Sequence, residues 1–80
     1  MFYFYILQSE KDGSYYHGST QNLKSRLIEH RTDKVLSTKY KLPVELVYYE
    51  AYRTLKAARL REQQVKASGS NRANIHKRIA

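Results

Sequence analysis

Residues 3–20 read YFYILQSEKDGSYYHGST. Two tyrosine-rich runs flank Lys11-Asp12-Gly13-Ser14, and an Asp-Gly pair between such runs is a strong signal for a tight hairpin. With the turn centred on Asp12-Gly13, residues 2–8 and 15–19 become antiparallel strands. Tyr5 then faces Thr20, Leu7 faces Gly18 and Ser9 faces Tyr16. The two-residue period of a strand places all six on one face. Tyr5 and Tyr16 share that face, and Gly18 clears space beside Leu7. A strand tyrosine ordinarily packs in a core with its hydroxyl bonded at the rim. The hairpin alone does not separate that role from the display of phenols to a substrate.

Working outward, Thr20 or Asn22 caps a helix over about residues 22–31. Leu23 and Leu27 give it an apolar stripe. Arg26 and His30, also four apart, lie against the edge of that stripe and point near the sheet. Residues 32–43 form a basic connection that ends at Leu42-Pro43. VELVYYEAY, 44–52, reads as the third strand. Its apolar residues do not alternate cleanly, as expected when both faces are covered, and its direction is not fixed by pattern. Thr54 caps a helix to about Ala67, SGSN at 68–71 breaks it, and a short helix follows over 71–79. The order β-β-α-β-α-α gives an α/β (α+β) fold, a small three-stranded and mostly antiparallel sheet flanked by helices.

Eighty residues leave room for one domain, 1–80, because a chain this short buries only about 60% of its unfolded surface. The absence of cysteine excludes disulfides and cysteine zinc sites. Fifteen Lys and Arg against seven Asp and Glu give a net charge of +8, which suits a polyanion such as DNA or RNA. The basic residues are dispersed, unlike those of a disordered basic tail. The apolar run MFYFYIL is too short to span a membrane and no basic segment precedes it, so a cytoplasmic protein is expected.

One charge is out of place. On a helical wheel of the 54–67 segment, Glu62 falls inside the apolar stripe formed by Leu55, Ala58 and Val65. A carboxylate there should be paired or bound to a metal, since burying it alone is costly. The plain reading is a rim glutamate paired with Lys66 or Arg59. Plain readings exist for the others too: Arg26 as a surface cation, and His30 as a charged residue favourable to its helix C-terminus. Together, Tyr5, Tyr16, Arg26, His30 and Glu62 make a phosphodiester toolkit. It contains a carboxylate for a metal, an arginine for phosphate, and phenol or imidazole for proton transfer.

These residues, with the strings ILQSEKDGSYYHGSTQNLKSRLIEH, PVELVYYEAY and AARLREQQVK, resemble the GIY-YIG nuclease domain over nearly the whole chain. Tyr3-Phe4-Tyr5 and Tyr16-His17-Gly18 stand where the two name-giving triplets belong. The resemblance is to the small stand-alone members related to the nuclease half of bacterial excision-repair endonuclease. It implies a DNA endonuclease, structure-specific in repair or recombination, that uses a single divalent cation, Mg²⁺ or Mn²⁺, held by Glu62. Tyr5, Tyr16, Arg26 and His30 complete the implied catalytic set, with Tyr16 favoured as base and Tyr5 bonded to it or to the attacking water. His17, Lys24, Lys39, Lys66 and Asn74 are the candidate nucleic-acid contacts, with His17 facing solvent or the nucleic-acid backbone. The first glycine and the isoleucines of the name are Tyr3, Phe4 and His17 here. No appended DNA-binding domain is expected, and because basic charge and tyrosines suit backbone contact and base stacking equally well, a nucleic-acid-binding module without useful catalysis is the alternative.

Overall fold

A computed structural model describes residues 1–32, 34–36 and 38–79; positions 33 and 37 of the expected basic connection lie outside the described residues. Strands β1 (Phe2–Ser9), β2 (Tyr15–Thr20) and β3 (Val44–Tyr52) form one antiparallel sheet in the order β2-β1-β3. Helices α1 (Leu23–Arg31), α2 (Leu55–Ala67) and α3 (Gly69–Ile79) complete the expected β-β-α-β-α-α order. A single 3-10 turn, Lys39–Lys41, precedes β3.

The hairpin corrects one expectation. Tyr3 pairs with Thr20, Tyr5 with Gly18 and Leu7 with Tyr16, two residues away from the register read from Asp12-Gly13. The loop is longer than a two-residue turn because side chains satisfy its backbone. Ser9 Oγ accepts the N–H groups of Lys11 and Asp12, and Asp12 Oδ1 accepts those of the Ser14 backbone and hydroxyl. Gly13 closes it with a φ of 75°, a conformation that suits glycine, and donates its N–H to Ser9 O at 2.8 Å. A shift of two preserves every face, so Tyr5 and Tyr16 still share one. Gly18, however, stands across from Tyr5 rather than Leu7.

β1 is the central strand and is covered on both sides. Phe4 and Ile6 pack with Val65 of α2 and Ile75 of α3. Tyr5 and Leu7 pack on the other face with Val44, Leu23, Leu27 and Leu46. The broken alternation of β3 has a second cause besides coverage. A β-bulge between its pairings with Ile6 and Leu7 inserts Val47 as an extra residue. Val44 and Leu46 therefore face the α1 side, while Tyr48 and Tyr52 face the α2–α3 side.

Helices α1 and α2 start at their expected caps. Asn22 Oδ1 accepts Ser25 N–H at 3.0 Å, and Thr54 Oγ1 accepts Ala57 N–H at 3.1 Å. α3 begins two residues before its expected start. The break narrows to Ser68, whose backbone N–H ends α2 on Gln64 O and whose hydroxyl accepts Asn71 N–H. α3 lies along β2: His76 stacks on Tyr15 with ring centroids 4.2 Å apart and meets His17 at 3.3 Å between Nε2 atoms.

Candidate active site

On the α1 face, strand parity and the i, i+4 spacing of α1 bring Tyr5, Tyr16, Arg26 and His30 together. Tyr5 is 1% exposed, and the hydroxyl end of its ring occupies the space beside Gly18. A Cβ at position 18 would stand 2.5 Å from the Tyr5 hydroxyl, so glycine is what allows the phenol to cross β2. The Tyr5 oxygen accepts Arg26 Nε–H at 3.4 Å and lies 2.9 Å from His30 Nε2. His30 Nδ1 lies 2.8 Å from Thr38 Oγ1, which donates its proton to Val35 O. Arg26 can only donate, so among the described residues His30 Nε2 is the acceptor left for the Tyr5 proton, and Nδ1–H of the neutral ring is then assigned to Thr38. The donors run in one direction, Arg26 to Tyr5 to His30 to Thr38.

Electrostatics supports this order. Burial, and then the Arg26 charge, push the His30 pKa down to about 4, so the imidazole is neutral at pH 7. The plain reading of His30 as a charged residue at its helix C-terminus does not fit, because the ring is completely buried. Burial pushes the Tyr5 phenol up to about 12, against the opposing hydrogen bond from Arg26. Arg26 itself is held charged, first by its bond to Tyr5, and its Nη1 pairs with Glu29 at 2.9 Å. Of the two partners expected for Tyr5, Tyr16 or the attacking water, no hydrogen bond to Tyr16 is present among the described residues. Their ring centroids are 6.4 Å apart, and Tyr16 meets the edge of His30 at 5.0 Å. Tyr16 is half-buried and closer to solvent than Tyr5.

Glu62 approaches from the opposite side of the sheet. Ala58 and Val65 of its stripe are fully buried, and Glu62 reaches edge strand β2 at Ser19. Ser19 Oγ donates to Oε1 at 2.7 Å, and Lys66 Nζ to Oε2 at 2.6 Å. The plain pairing with Lys66 is thus present, with a hydroxyl added and 21% of the side chain exposed. No hydrogen bond links Glu62 to Tyr5, Tyr16, Arg26 or His30 among the described residues. Its charge still acts on the Tyr5 phenol, as the last of the influences raising that pKa.

The candidate nucleic-acid contacts scatter. His17 packs between Phe4 and His76 instead of facing solvent, and burial followed by the charge of His76 lowers its pKa to about 4. Lys24 lines a cleft beside Tyr3 and Tyr49. Lys39 sits 5.7 Å over the Tyr40 ring, Lys66 is committed to Glu62, and Asn74 is exposed on α3. Sequence reasoning missed Thr38, Ser19 and Glu29. Thr38 and Ser19 become partners only through tertiary contact, whereas Glu29 follows Arg26 by three and was legible as a helix pair.

A family model described as the GIY-YIG catalytic domain matches residues 1–77. The chain belongs to the GIY-YIG family. A GIY-YIG domain implies nuclease-type activity in general, and nucleases of this family generally depend on a divalent metal. The chain is 40% identical over 65 residues to a UPF0213 protein of Bacillus pumilus, covering 80% of this chain and 65% of the relative. It is 43% identical over 56 residues to a UPF0213 protein of Staphylococcus epidermidis, covering 69% and 68%. For a UPF0213 protein of Streptococcus pyogenes the identity is 42% over 57 residues, covering 70% and 61%. The matched part thus spans about two thirds of these GIY-YIG relatives' own length. No solved structure matches the chain.

Glu62 offers a hard cation one carboxylate, whose two oxygens bond Ser19 and Lys66 in this structure. No group of three or more His, Cys, Asp or Glu gathers among the described residues, as a fully protein-ligated metal would need. Mg²⁺ needs less, because it keeps most of its waters and takes one or two carboxylates. Glu62 supplies a partly exposed carboxylate with the Ser19 hydroxyl beside it.

Proposed function

We propose that this chain is a divalent-metal-dependent endonuclease that hydrolyses phosphodiester bonds of DNA. The observation that carries the reading is the hydrogen-bonded array of Arg26, Tyr5, His30 and Thr38. It fixes a guanidinium at the mouth of the Tyr5–Tyr16 face, where 33% of the Arg26 side chain remains exposed. In this reading Arg26 binds the phosphate and stabilises the negative charge that grows on it. Tyr16 is the phenol that meets the attacking water, since Tyr5 is enclosed and its pKa is pushed further from neutrality. An ordinary phenol with a pKa of about 10 is a weak base at pH 7. Tyr5 and His30 are positioning residues that aim Arg26. Glu62 would hold Mg²⁺ or Mn²⁺, which when bound supplies positive charge to the phosphate and to the leaving oxygen.

Cleavage of nicked, branched and single-stranded DNA in Mg²⁺ or Mn²⁺ tests the reading. Arg26→Ala and Glu62→Ala are each expected to lower the rate at least a hundredfold. Undiminished cleavage in both would assign the activity elsewhere. A second reading, a binding module without catalysis, is favoured by the closure of Glu62 on Ser19 and Lys66. It calls for salt-sensitive binding that ignores Mg²⁺ and survives Glu62→Ala. No helix among the described residues is long and apolar enough to cross a membrane, and we place the activity in the cytoplasm.

A further inference from the structure

Tyr49 is the feature that neither the core nor the Tyr5 site uses. It is a large aromatic on β3 that remains 55% exposed. It pairs with Tyr5 across the sheet and meets the Tyr3 ring diagonally, with centroids 6.1 Å apart and planes 65° to one another. The two rings flank a cleft of about 450 Å³ whose other walls are Leu23, Leu27, Gln21, Asn22 and Lys24. That volume falls in the range of sites that hold one small organic group, roughly 300–1,000 Å³. The walls combine aromatic and aliphatic surface with two carboxamides and one cation. Asn22 spends its carbonyl oxygen on the Ser25 N–H, and its amide nitrogen has no partner among the described residues.

We propose that this cleft is a nucleobase-stacking subsite for an unpaired nucleotide next to the phosphate held at Arg26, an inference that rests on the nuclease reading. The placement argues for it. Tyr3 and Tyr5 are two residues apart on β1 and so point from the same face about 7 Å apart. A strand with a phosphate at Arg26 beside Tyr5 therefore carries its neighbouring base to Tyr3 and Tyr49. An exposed aromatic face such as that of Tyr49 accepts any base by stacking, the carboxamides offer groups to base edges, and Lys24 lines the same cleft. A base already stacked inside a duplex is not free to enter the cleft. The subsite thus selects substrates with an unpaired nucleotide at the cleavage position, such as a flap, gap or single strand.

Metal-free binding tests it, using a labelled single-stranded oligonucleotide, its abasic counterpart and a blunt duplex of the same length. Tyr49→Leu is expected to weaken binding of the intact single strand by about tenfold, the effect of losing one stacked base. Tyr49→Phe retains the ring and should bind like the native chain. The abasic strand and the duplex should not distinguish native protein from Tyr49→Leu. A 2-aminopurine placed in the single strand should be quenched by the native chain and by Tyr49→Phe, but not by Tyr49→Leu. Equal losses on intact and abasic strands, no loss on either, or a native chain that binds no single strand would overturn the subsite. Because the assay omits metal, absent cleavage in Mg²⁺ would sink the nuclease reading without touching this result. Cleavage with a Tyr49-insensitive single strand would sink the subsite alone.

Discussion

Replacing Gly18 with alanine is the sharpest test of how the site is built. The added methyl carbon would lie 2.5 Å from the Tyr5 hydroxyl oxygen, 2.6 Å from Cζ and 3.0 Å from Cε1. Favourable contacts of this kind lie at about 3.5–4.0 Å, so the ring would have to withdraw by about 1 Å. It has little room to do so, because the hydroxyl is held by His30 and Arg26 and the ring is 1% exposed. Overpacking of this size costs about 1–3 kcal/mol. Alanine recovers about 0.5–1 kcal/mol through the smaller backbone entropy of the unfolded chain. The net loss is about 1–2 kcal/mol, which in a domain of this length lowers Tm by about 4–16 °C. Calorimetry or circular dichroism melts read it directly. In a Tyr5→Leu background the same alanine should be neutral or stabilising, since its obstacle is gone. An unchanged Tm for Gly18→Ala, or the same loss in both backgrounds, would refute the packing of Tyr5 on Gly18.

Three further outcomes are expected. His30 titrates at about 4 when folded, against about 6.5 when unfolded, so the unfolded chain takes up its proton first as pH falls. Stability from neutral His30 is therefore complete above pH 6.5 and lost towards pH 4, by up to about 3 kcal/mol. His17 and His76 shift in the same direction, so urea midpoints of a His17→Gln, His76→Gln double variant at pH 7.5 and 4.5 leave His30 as the remaining histidine; equal midpoints would contradict its buried neutral state. Glu50→Ala strips the acceptor shared by Arg61, Tyr48 and Tyr52, and should cost about 2–3 kcal/mol in urea unfolding. Little change would mean that those donors reach water instead. Lys66→Ala releases one oxygen of Glu62 and should tighten Mn²⁺ binding in a titration followed by electron paramagnetic resonance; unchanged affinity would deny Glu62 that role.

Much of the architecture was legible because local signals agreed. Asn22 and Thr54 marked two helix starts, and the apolar periods gave the elements they begin. Tyr5 and Tyr16 could be placed on one face by parity alone, and Arg26 and His30 on one helix edge by their spacing. The hairpin register was misread because loop length depended on the side chains of Ser9 and Asp12, which no turn dipeptide reveals. The change from Leu46 to Tyr48 across the sheet was hidden for a related reason, since a bulge is set by pairing with β1. Thr38 lay in a basic connection with no periodic signal, yet it orients His30. Glu62 could be recognised as misplaced, but its partner Ser19 depended on how α2 crosses the edge strand.

The central claim, that the half-buried phenol of Tyr16 and the guanidinium of Arg26 form the face that meets the phosphodiester, rests most directly on one rate. Single-turnover cleavage of a single-stranded substrate by Tyr16→Phe, with enzyme in excess and Mg²⁺ saturating, removes only the hydroxyl proposed as the base. The rate should fall by about a hundredfold or more, with DNA affinity and Tm unchanged. A Tyr16→Phe protein that cleaves at the native rate would contradict the account.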